Sequence, residues 1–534
     1  MKRKHQQEFE DTITGIKNGS DIKTIIMRAV PGAGKSMIPM QACELIKAGL
    51  ADRLCWIVPR LTLQDQAERN FVDPFFRELL DHKFIIRSST NDDNPARGLD
   101  GFSTTYQAVG MDNNTVLFDF HRHRYILVLD EFHHIEKDGI WHKSIQPLID
   151  KSEYVILMTG TMARGDSKRI AFIDYDLTGM PIIESTEKTA VINYTRKDAL
   201  QEKAILPLIF NLSDAKAAWI NKDGRHCQVA SLATARADLT AQAIFTVLNS
   251  EFAEQLLNKS INHWTNYKSK HPRSKILIVT SDFKAAKKVI KYLSKYGYVS
   301  KIATSHDGTA AIKAIHEFKN GKLDILVGIA MFYEGFDCPQ ATHVCCLTNI
   351  RSIPWIEQMV ARVVRIDSEA GPYSKQFGYI FAPDDKLLRS IVDYFRSEQM
   401  KCCPANDAQM ELFEREAGDG GGQRIQIRPL ESSMLGGREI DLVQRKLFEE
   451  KTPTDLENEL RKKIDDHVKS YAYWGRYRES KLNHDIKGIF GRARALMDIR
   501  ELKAVWVWVQ ANYDLKNVRG CKIRVPRKAV RWYG

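Results

Sequence analysis

Short apolar runs alternate with helical patterns along the first 190 residues. Strands that alternate with helices are typical of βαβ units, which build a parallel sheet covered on both faces. The alternation resumes near residue 200, so we expect a second α/β domain of similar size. The candidate strands of the two domains are Thr24–Met27, Leu54–Val58, Phe84–Arg87, Tyr125–Leu129 and Tyr154–Met158, then Gln228–Ser231, Lys275–Thr280, Val299–Ala303, Ile325–Gly328, His343–Leu347 and Gly378–Ala382.

The alternation stops after residue 400. Residues 401–440 contain the runs Gly418–Gly422 and Ser432–Gly437, a composition that predicts a flexible linker. Helical periods return from 441 to 515. We therefore expect a first domain at 1–190, a second at 191–400, a linker at 401–440 and a mostly helical C-terminal domain at 441–534.

The composition, with 43% hydrophobic and 27% charged residues, is that of a soluble globular protein. No apolar run reaches the 18 to 20 residues or so that a membrane span needs, and no apolar stretch follows the basic segment Met1–His5. The nine cysteines are odd in number and form no Cys-x-x-Cys, which argues against a disulfide framework and a zinc ribbon. We expect a reduced, cytoplasmic protein without a membrane segment.

The net charge of +12 is concentrated at the C-terminus. Residues 461–534 hold 19 Lys and Arg against 7 Asp and Glu, so the whole excess lies there. Basic residues interleaved with aromatic rings predict a nucleic-acid contact. The alternative is a small helical domain with a tryptophan core and a solvated basic face. The tryptophans in question are Trp474, Trp506, Trp508 and Trp532.

A glycine-rich turn, Ala29–Ser36, follows the first candidate strand and precedes a helical pattern. Strand, turn and helix start form the context of a phosphate-binding loop, where backbone N–H groups surround phosphate oxygens. Lys35 would reach the β- and γ-phosphates and Ser36 would hold Mg²⁺. Ala29 stands where this pattern usually has its first glycine. The turn indicates a nucleoside triphosphate, and the alternative is an ordinary strand–helix turn.

Two further patterns predict that the bound triphosphate is also hydrolysed. The apolar strand that ends at Asp130 and Glu131 can place one carboxylate beside Mg²⁺ and the other beside an attacking water. Later, Gln358, Arg362 and Arg365 are spaced at i, i+4 and i+7, which predicts a single helix face carrying two arginines. Such a face suits a γ-phosphate held in a cleft.

With these motifs in order, residues 1–370 or so resemble superfamily 2 helicases of the DExH type. His5–Phe9 resembles the adenine-reading glutamine region, Ala29–Ser36 motif I, Pro59–Leu63 with Gln66 motif Ia, and Ser103–Gln107 the later strand-contacting motif. Asp130–His133 resembles motif II, Thr159–Thr161 motif III, Ile278–Ser281 motif IV, Glu334–Asp337 motif V and Gln358–Arg365 motif VI. Motif III reads Thr-Gly-Thr instead of Ser-Ala-Thr, and motif VI has Ala361 where Gly is usual; neither departure removes a reactive group.

The resemblance implies two RecA-like domains that bind ATP and Mg²⁺ in the cleft between them. It also implies roles for individual residues. Glu131, Lys35, Gln358, Arg362 and Arg365 would serve catalysis, and Ser36 and Asp130 would hold the metal. Gln6, Gly32, Gly34, Lys35, Ser36, Gly335 and Asp337 would bind the nucleotide. His133, Thr159 and Thr161 would couple hydrolysis to movement, while Arg60, Thr104, Thr105 and Thr280 would hold one nucleic-acid strand.

Several functions fit these expectations. The first is an ATP-dependent DNA helicase or translocase, favoured by a faint similarity of residues 441–534 to helicases of phages and mobile elements. The second is an RNA helicase or RNP remodeler, because the motifs do not report the sugar. The third is a nucleic-acid-stimulated ATPase that switches conformation without unwinding. A fused nuclease, based on Asp441 and Glu449–Lys451, is weaker than a charged helix face. Protein partners are not indicated.

Overall fold

A computed structural model describes residues 2–89, 92–162, 168–176, 181–304, 308–329, 338–400, 427–442, 453–513 and 515. The chain divides into two compact units, Met1–Val443 and Gln444–Gly534. The first unit contains two sheets with helices packed on them, and the second contains helices. This is the expected α/β architecture of two tandem RecA-like domains followed by a helical C-terminal region.

Seven strands of the described chain form the first sheet, and all of its pairings are parallel. Their order across the sheet is β3-β4-β2-β5-β6-β1-β9. The central strands are buried along nearly their whole length, as expected for a parallel sheet covered on both faces. The strands, with a separate β7–β8 ribbon, are β1 Thr24–Ala29, β2 Arg53–Val58, β3 Ile86–Ser88, β4 Gly101–Thr105, β5 Tyr125–Asp130, β6 Tyr154–Thr159, β7 Asp174–Tyr175, β8 Pro181–Ile182 and β9 Thr189–Tyr194.

Helices connect and cover these strands. An apolar core that includes Phe102, Leu127, Leu129 and Phe132 fills the space between one helical layer and the sheet. The helices up to the start of the second sheet are α1 Lys4–Lys17, α2 Ile38–Ala42, α3 Glu44–Lys47, α4 Leu61–Val72, α5 Pro74–Leu80, α6 Tyr106–Met111, α7 Asn114–Phe120, α8 Ile140–Lys151 and α9 Arg196–Gln201.

The second sheet has eight strands within the described residues, in the order β11-β10-β16-β15-β12-β14-β13, with β17 beside β10. Its pairings are parallel except those of β11 and β17 with β10. The strands are β10 Leu208–Ile220, β11 His226–Val229, β12 Lys275–Thr280, β13 Ser300–Ala303, β14 Ile325–Ile329, β15 Ala341–Leu347, β16 Gly378–Pro383 and β17 Arg428–Asp441; the helices are α10 Ala237–Leu248, α11 Glu251–Lys270, α12 Phe283–Lys295, α13 Gly308–Lys319, α14 Ile353–Val360 and α15 Lys386–Met400.

Strand β17 corrects the predicted linker at 401–440. Residues 428–441 pair antiparallel with β10 over nearly its full length, so this part of the segment belongs to the second sheet. Its Ser- and Gly-rich sequence has little apolar alternation, because most of its residues are exposed and its order comes from backbone hydrogen bonds to β10. Residues 401–426 lie outside the described residues.

The predicted boundary at residue 190 is also corrected, since it falls inside β9. This strand pairs with β1 from Thr24 to Ala29, so the first sheet extends to Tyr194. Strands β4 and β10 were not predicted either. The polar sequence of β4, Gly-Phe-Ser-Thr-Thr, is buried at all five positions, which apolar patterning alone does not reveal.

The second unit is a small helical bundle with its own core. Its helices are α16 Pro453–Gly475, α17 Glu479–Phe490 and α18 Ile499–Asn512. Ile464, Val468, Leu502 and Val505 are fully buried between them. Throughout the part of the chain that the structure describes, no helix is both long and apolar enough to cross a membrane.

Candidate active site

The glycine-rich turn after β1 has the backbone of a phosphate-binding loop. Gly32 and Gly34 have φ angles of 94° and 86°, a left-handed region that favours glycine. A short 3₁₀ turn, Lys35–Met37, follows and leads into α2; Ser36 is half-buried in it. A Cβ on Gly34 would lie 3.0 Å from Arg3 Nη1 and 3.2 Å from Gln6 Nε2. The loop is therefore closed on one side by the N-terminal segment.

Gln6, predicted to read the adenine, contacts the loop directly, and its contact with a nucleotide stays a prediction. Its Nε2 donates to the Gly34 carbonyl at 3.2 Å, and its Oε1 accepts from the Arg3 backbone N–H at 2.9 Å. Arg3 itself was not predicted. Its guanidinium lies against Gly34, and burial lowers its pKa. The only sequence signal for Arg3 was its place three residues before Gln6.

Lys35 and Glu131 meet at the carboxyl edge of the first sheet. Lys35 Nζ lies 2.6 Å from Glu131 Oε1, and the pair is mostly shielded from solvent. The second carboxylate oxygen, Oε2, accepts from the Gly160 N–H at 3.1 Å and lies 3.4 Å from Thr159 Oγ1. Glu131 has a left-handed φ of 49°, which is costly for a residue with a side chain. The contacts to Lys35 and Gly160 hold it there.

The pKa values of the adjacent carboxyl groups of Asp130 and Glu131 shift in opposite directions. Burial, with the Glu131 charge second, raises the pKa of Asp130. Burial would raise the pKa of Glu131 as well, but Lys35 and His133 outweigh it and hold that pKa well below its ordinary value. A buried carboxyl group with a raised pKa is stabilised in its charged form by a cation, so Asp130 fits a Mg²⁺ ligand. Tyr106 supports it by donating its hydroxyl to the Asp130 carbonyl at 2.7 Å.

His133 and motif III form one hydrogen-bonded chain. Thr159 Oγ1 donates to the Thr161 carbonyl at 2.6 Å and lies 2.8 Å from His133 Nδ1. Burial, with His134 second, lowers the pKa of His133 to about 4, so the ring is neutral at neutral pH. The Thr159 hydroxyl donates its proton to the Thr161 carbonyl, so it can only accept from His133. His133 therefore donates from Nδ1. These contacts connect His133, Thr159 and Thr161, the three residues predicted to couple ATP hydrolysis to movement.

Gly160 explains why motif III reads Thr-Gly-Thr. A Cβ at this position would lie 2.8 Å from Pro31 Cγ and 3.2 Å from Lys35 Nζ. A contact of 2.8 Å forces neighbouring atoms to move. The missing side chain therefore lets motif III approach the phosphate-binding loop closely.

The predicted arginine face of motif VI is corrected. Helix α14 ends at Val360, so Gln358 lies on the helix whereas Arg362 and Arg365 lie in the turn and extended segment after it. After the helix, the extended chain places the Val364 carbonyl where it accepts from the Leu206 N–H at 2.7 Å. A helical Val364 carbonyl would instead point along the helix axis toward a later residue.

Arg365 nevertheless reaches the first domain. Its Nη1 donates to the Gly32 carbonyl at 3.2 Å. Val364 packs beside it, 3.4 Å from the position of a Gly32 Cβ. Arg362 is buried and Gln358 is half-buried. The loop of one domain and the motif VI segment of the other thus contact each other directly.

A second group of charges lies buried beside this contact. Glu357, on α14, is 3% exposed, and the Thr161 side chain nearby favours its charged form. Burial raises the pKa of Glu357, and the Glu398 charge raises it further, against the opposing effects of Arg196 and Arg28. Arg196 Nε lies 3.6 Å from Glu398 Oε2. These residues line one small cavity that also reaches Gly160. Sequence reasoning missed them because they are far apart along the chain.

The residues predicted to hold nucleic acid lie at the carboxyl ends of their strands, and several hydroxyls already have protein partners. Thr105 Oγ1 accepts from the Ala108 N–H at 3.1 Å, and Thr280 Oγ1 donates to the Gly328 carbonyl at 3.2 Å. Thr104 is buried, whereas Arg60 is half-buried at the start of α4. Their nucleic-acid contacts stay predictions. The motif V segment Glu334–Asp337, with the predicted nucleotide ligands Gly335 and Asp337, lies outside the described residues.

Two family models match the chain in the order of its domains. Residues 1–164 match the res subunit of type III restriction enzymes, and residues 253–367 match the helicase conserved C-terminal domain. Together the two matches support a superfamily 2 helicase, the class of ATP-hydrolysing enzyme that the ordered motifs resemble.

Similar proteins are distant in sequence. An uncharacterized protein of Mycobacterium leprae is 22% identical over 342 residues, which are 63% of this chain and 56% of that protein. The UvrABC system protein B of Acinetobacter baylyi is 24% identical over 229 residues, 41% of this chain and 31% of that protein. A fragment of a putative HsdR subunit of a type I restriction enzyme from Vibrio vulnificus is 14% identical, with a TM-score of 0.46, covering 73% of this chain and 65% of that one. The match thus spans about half the length of the first of these relatives.

Proposed function

We propose that this chain is an ATP-dependent helicase or translocase that moves along a strand of DNA. The observation that carries the proposal is the hydrogen bond from Arg365 Nη1 to the Gly32 carbonyl. It joins the phosphate-binding loop of the first domain to motif VI of the second. A nucleotide at the loop would therefore change how the two domains meet, and such a change is what stepping along a strand requires.

The residues present suit ATP with Mg²⁺. The loop N–H groups around Gly32 and Gly34 would hold phosphate oxygens, and Ser36 and Asp130 would hold the metal, which supplies positive charge to the transferred phosphoryl group. Lys35 is paired with Glu131 in this structure. When Lys35 turns to the phosphates, Glu131 is released and accepts a proton from the attacking water.

Motif III offers a route from the site to the second domain. Glu131 accepts from the Gly160 N–H, and Gly160 lines one small cavity together with Glu357 on α14. A movement of Glu131 therefore shifts a turn that lies next to α14 of the second domain. We propose that this turn, with His133 and Thr159, couples hydrolysis to domain movement.

DNA is favoured over RNA because the first family model describes a restriction enzyme subunit. The strand would lie across the carboxyl edges of both sheets, near Arg60, Thr104, Thr105 and Thr280. Phosphate contacts of this kind position a strand without reading its sequence. An RNA helicase, or an ATPase switch without unwinding, remains the alternative for experiment to decide.

The test measures ATP hydrolysis with single-stranded DNA, duplex DNA and RNA, followed by strand displacement on the best activator. We expect single-stranded DNA to stimulate most. Arg365→Ala should lower the stimulated rate by about 10³-fold or more while ATP affinity changes little, because an arginine of this kind stabilises transition-state charge. Stimulation by RNA alone would favour the RNA alternative. Stimulation of ATP hydrolysis by DNA without strand displacement or directional movement would favour the ATPase that switches conformation without unwinding.

A further inference from the structure

Among the described residues of the C-terminal unit, the most exposed aromatic rings lie at the turn between α16 and α17. Tyr473 is 75% exposed and Tyr477 is 54% exposed. Trp506 and Trp508, by contrast, pack against the core of the bundle. The alternative raised for these tryptophans, a structural role, thus holds for the two on α18. Large exposed rings close together usually mark a contact surface.

The rings at the turn continue an internal stack. Tyr513 is buried, and Tyr471 stacks on it with ring centroids 5.1 Å apart and planes 24° apart. Tyr477 stacks on Tyr471 at 5.5 Å and 4°. The stack therefore begins in the core and ends at an exposed ring. A flat, nearly parallel ladder of this kind is extended naturally by another flat ring, such as a nucleobase.

The backbone of the turn is arranged to hold this ring in place. A Cβ on Gly475 would lie 2.5 Å from two ring carbons of Tyr477, so only glycine leaves room for the ring. The Tyr477 N–H closes the helix end on the Ala472 carbonyl at 3.0 Å. Arg476 takes the left-handed position of this helix end, with φ 55°.

An arginine at that position is unfavourable for the fold, because helices usually place glycine there. Arg476 directly precedes the exposed ring of Tyr477 along the chain, and strained residues of this kind concentrate at functional sites. Arg478 and Lys481 add positive charge nearby, opposed in this short segment by Glu479. An exposed ring can stack on a base, and positive charges next to it can contact the phosphates on either side of that base.

We propose that Tyr473–Arg478, which we call the tyrosine turn, is a platform on which an unpaired base of the nucleic-acid strand stacks, with Arg476 holding an adjacent phosphate. The proposal rests on the proposed function, since it assigns a second contact to the same strand. The ring of Tyr477 supplies stacking and the guanidinium of Arg476 supplies charge. The two contributions are separable by experiment.

The test uses the full chain and a fluorescently labelled 30-nucleotide oligo(dT), with binding measured by anisotropy at several salt concentrations. Tyr477→Ala should weaken binding about tenfold with little change in the salt dependence, because stacking releases no counterions. Tyr477→Phe should bind as the unmodified chain does. Ile489→Ala, a control at an exposed apolar residue of α17, should also leave binding unchanged.

Arg476→Gly separates function from folding. It relieves the left-handed strain, so the melting temperature should rise while binding weakens and the salt slope falls by about one. A variant that is more stable yet binds less cannot owe its defect to misfolding. Unchanged binding in Arg476→Gly would overturn the assigned phosphate contact.

A strand with abasic sites in place of bases identifies the ring contact. The unmodified chain and Tyr477→Ala should bind it equally, because it keeps the phosphates and lacks the bases. An equal loss in Tyr477→Ala on both strands would overturn stacking. An unchanged affinity on oligo(dT) would overturn the platform and leave a protein partner as the occupant of the tyrosine turn. If the unmodified chain neither binds DNA nor is stimulated by it, the proposed function itself fails, which is a distinct result.

Discussion

Glu131 and Glu357 are two shielded glutamates in opposite electrostatic surroundings, although both lie near the same motif III turn. Lys35 lies 2.6 Å from Glu131 and holds its pKa low. By contrast, burial and the neighbouring Glu398 raise the pKa of Glu357. The difference teaches that direct contact with a cation, more than burial, decides which carboxylate keeps its charge.

The comparison also assigns different tasks to the two groups. A charged Glu131 at the phosphate-binding loop is ready to accept a proton once Lys35 moves away. A protonated Glu357 is uncharged, so it can remain between the two domains without a counterion. Under the proposed function, we expect one carboxyl group to serve chemistry and the other to serve the domain contact.

The largest expected effect comes from removing the charge of Glu131. Glu131→Gln should lower strand-stimulated ATP hydrolysis by about 10²–10⁴-fold, because the amide cannot accept the proton of the attacking water. Nucleic-acid binding, measured by anisotropy in the same preparation, should be retained. Near-normal turnover in this variant would show that Glu131 is not the base and would remove the basis of the comparison.

A smaller effect is expected at Gly160, which lies between the two carboxyl groups. Gly160→Ala places a methyl group 2.8 Å from Pro31 Cγ and should displace the loop, lowering hydrolysis by about 10–100-fold. Removing the opposing ring in Pro31→Ala should restore much of the rate in the double variant. Purely additive losses in this cycle would mean that the two residues do not interact in the way described.

The smallest effect, and the sharpest test of the comparison, concerns Glu357 and pH. Because its pKa is raised in the folded state, the folded chain holds a proton that the unfolded chain has released above about pH 4.3. Stability should therefore fall as pH rises from there toward the raised value. Glu357→Gln keeps a polar group beside Thr161 without a titrating proton, so its melting temperature should fall less between pH 5 and 8, by about 2–4 °C.

The matched control for that variant is Glu254→Gln, at an exposed glutamate on α11, which should follow the pH profile of the unmodified chain. The surrounding charges are Arg28, Arg196 and Glu398, with Tyr394 hydrogen-bonded to Glu398 at 2.9 Å. If Glu357→Gln shows the same pH profile as the unmodified chain, Glu357 is ionised in the folded state and the contrast with Glu131 disappears.

Much of the first domain's site was predictable because its signals are contiguous. The glycines of Ala29–Ser36 need left-handed backbone angles, and the acidic pair Asp130–Glu131 ends an apolar strand. Each signal occupies a few successive residues, and parallel strands bring their carboxyl ends to one edge of a sheet. The meeting of Lys35 with Glu131 followed from that rule. The alternation of strands and helices predicted the two α/β domains in the same way.

The failures came from places where a distant segment decides the local structure. The helix expected through Arg365 ends at Val360, and beyond it the Val364 carbonyl accepts from the remote Leu206 N–H. The expected linker is partly strand β17, because β10 offers it a free edge. In the second case backbone hydrogen bonds to a remote strand outweigh a local propensity.

The sequence by itself predicted the class of this protein, the position of its glycine-rich loop and the two carboxylates near that loop, because those features depend on neighbouring residues and on strand order. Only the tertiary structure decided which groups come together across the domains, namely Arg365 with Gly32 and Gly160 with Glu357. It also decided which rings of the C-terminal unit are core and which are exposed, so that Tyr477, and not Trp506 or Trp508, ends at the surface. Burial and contact depend on the packing of remote segments, and no local pattern encodes them.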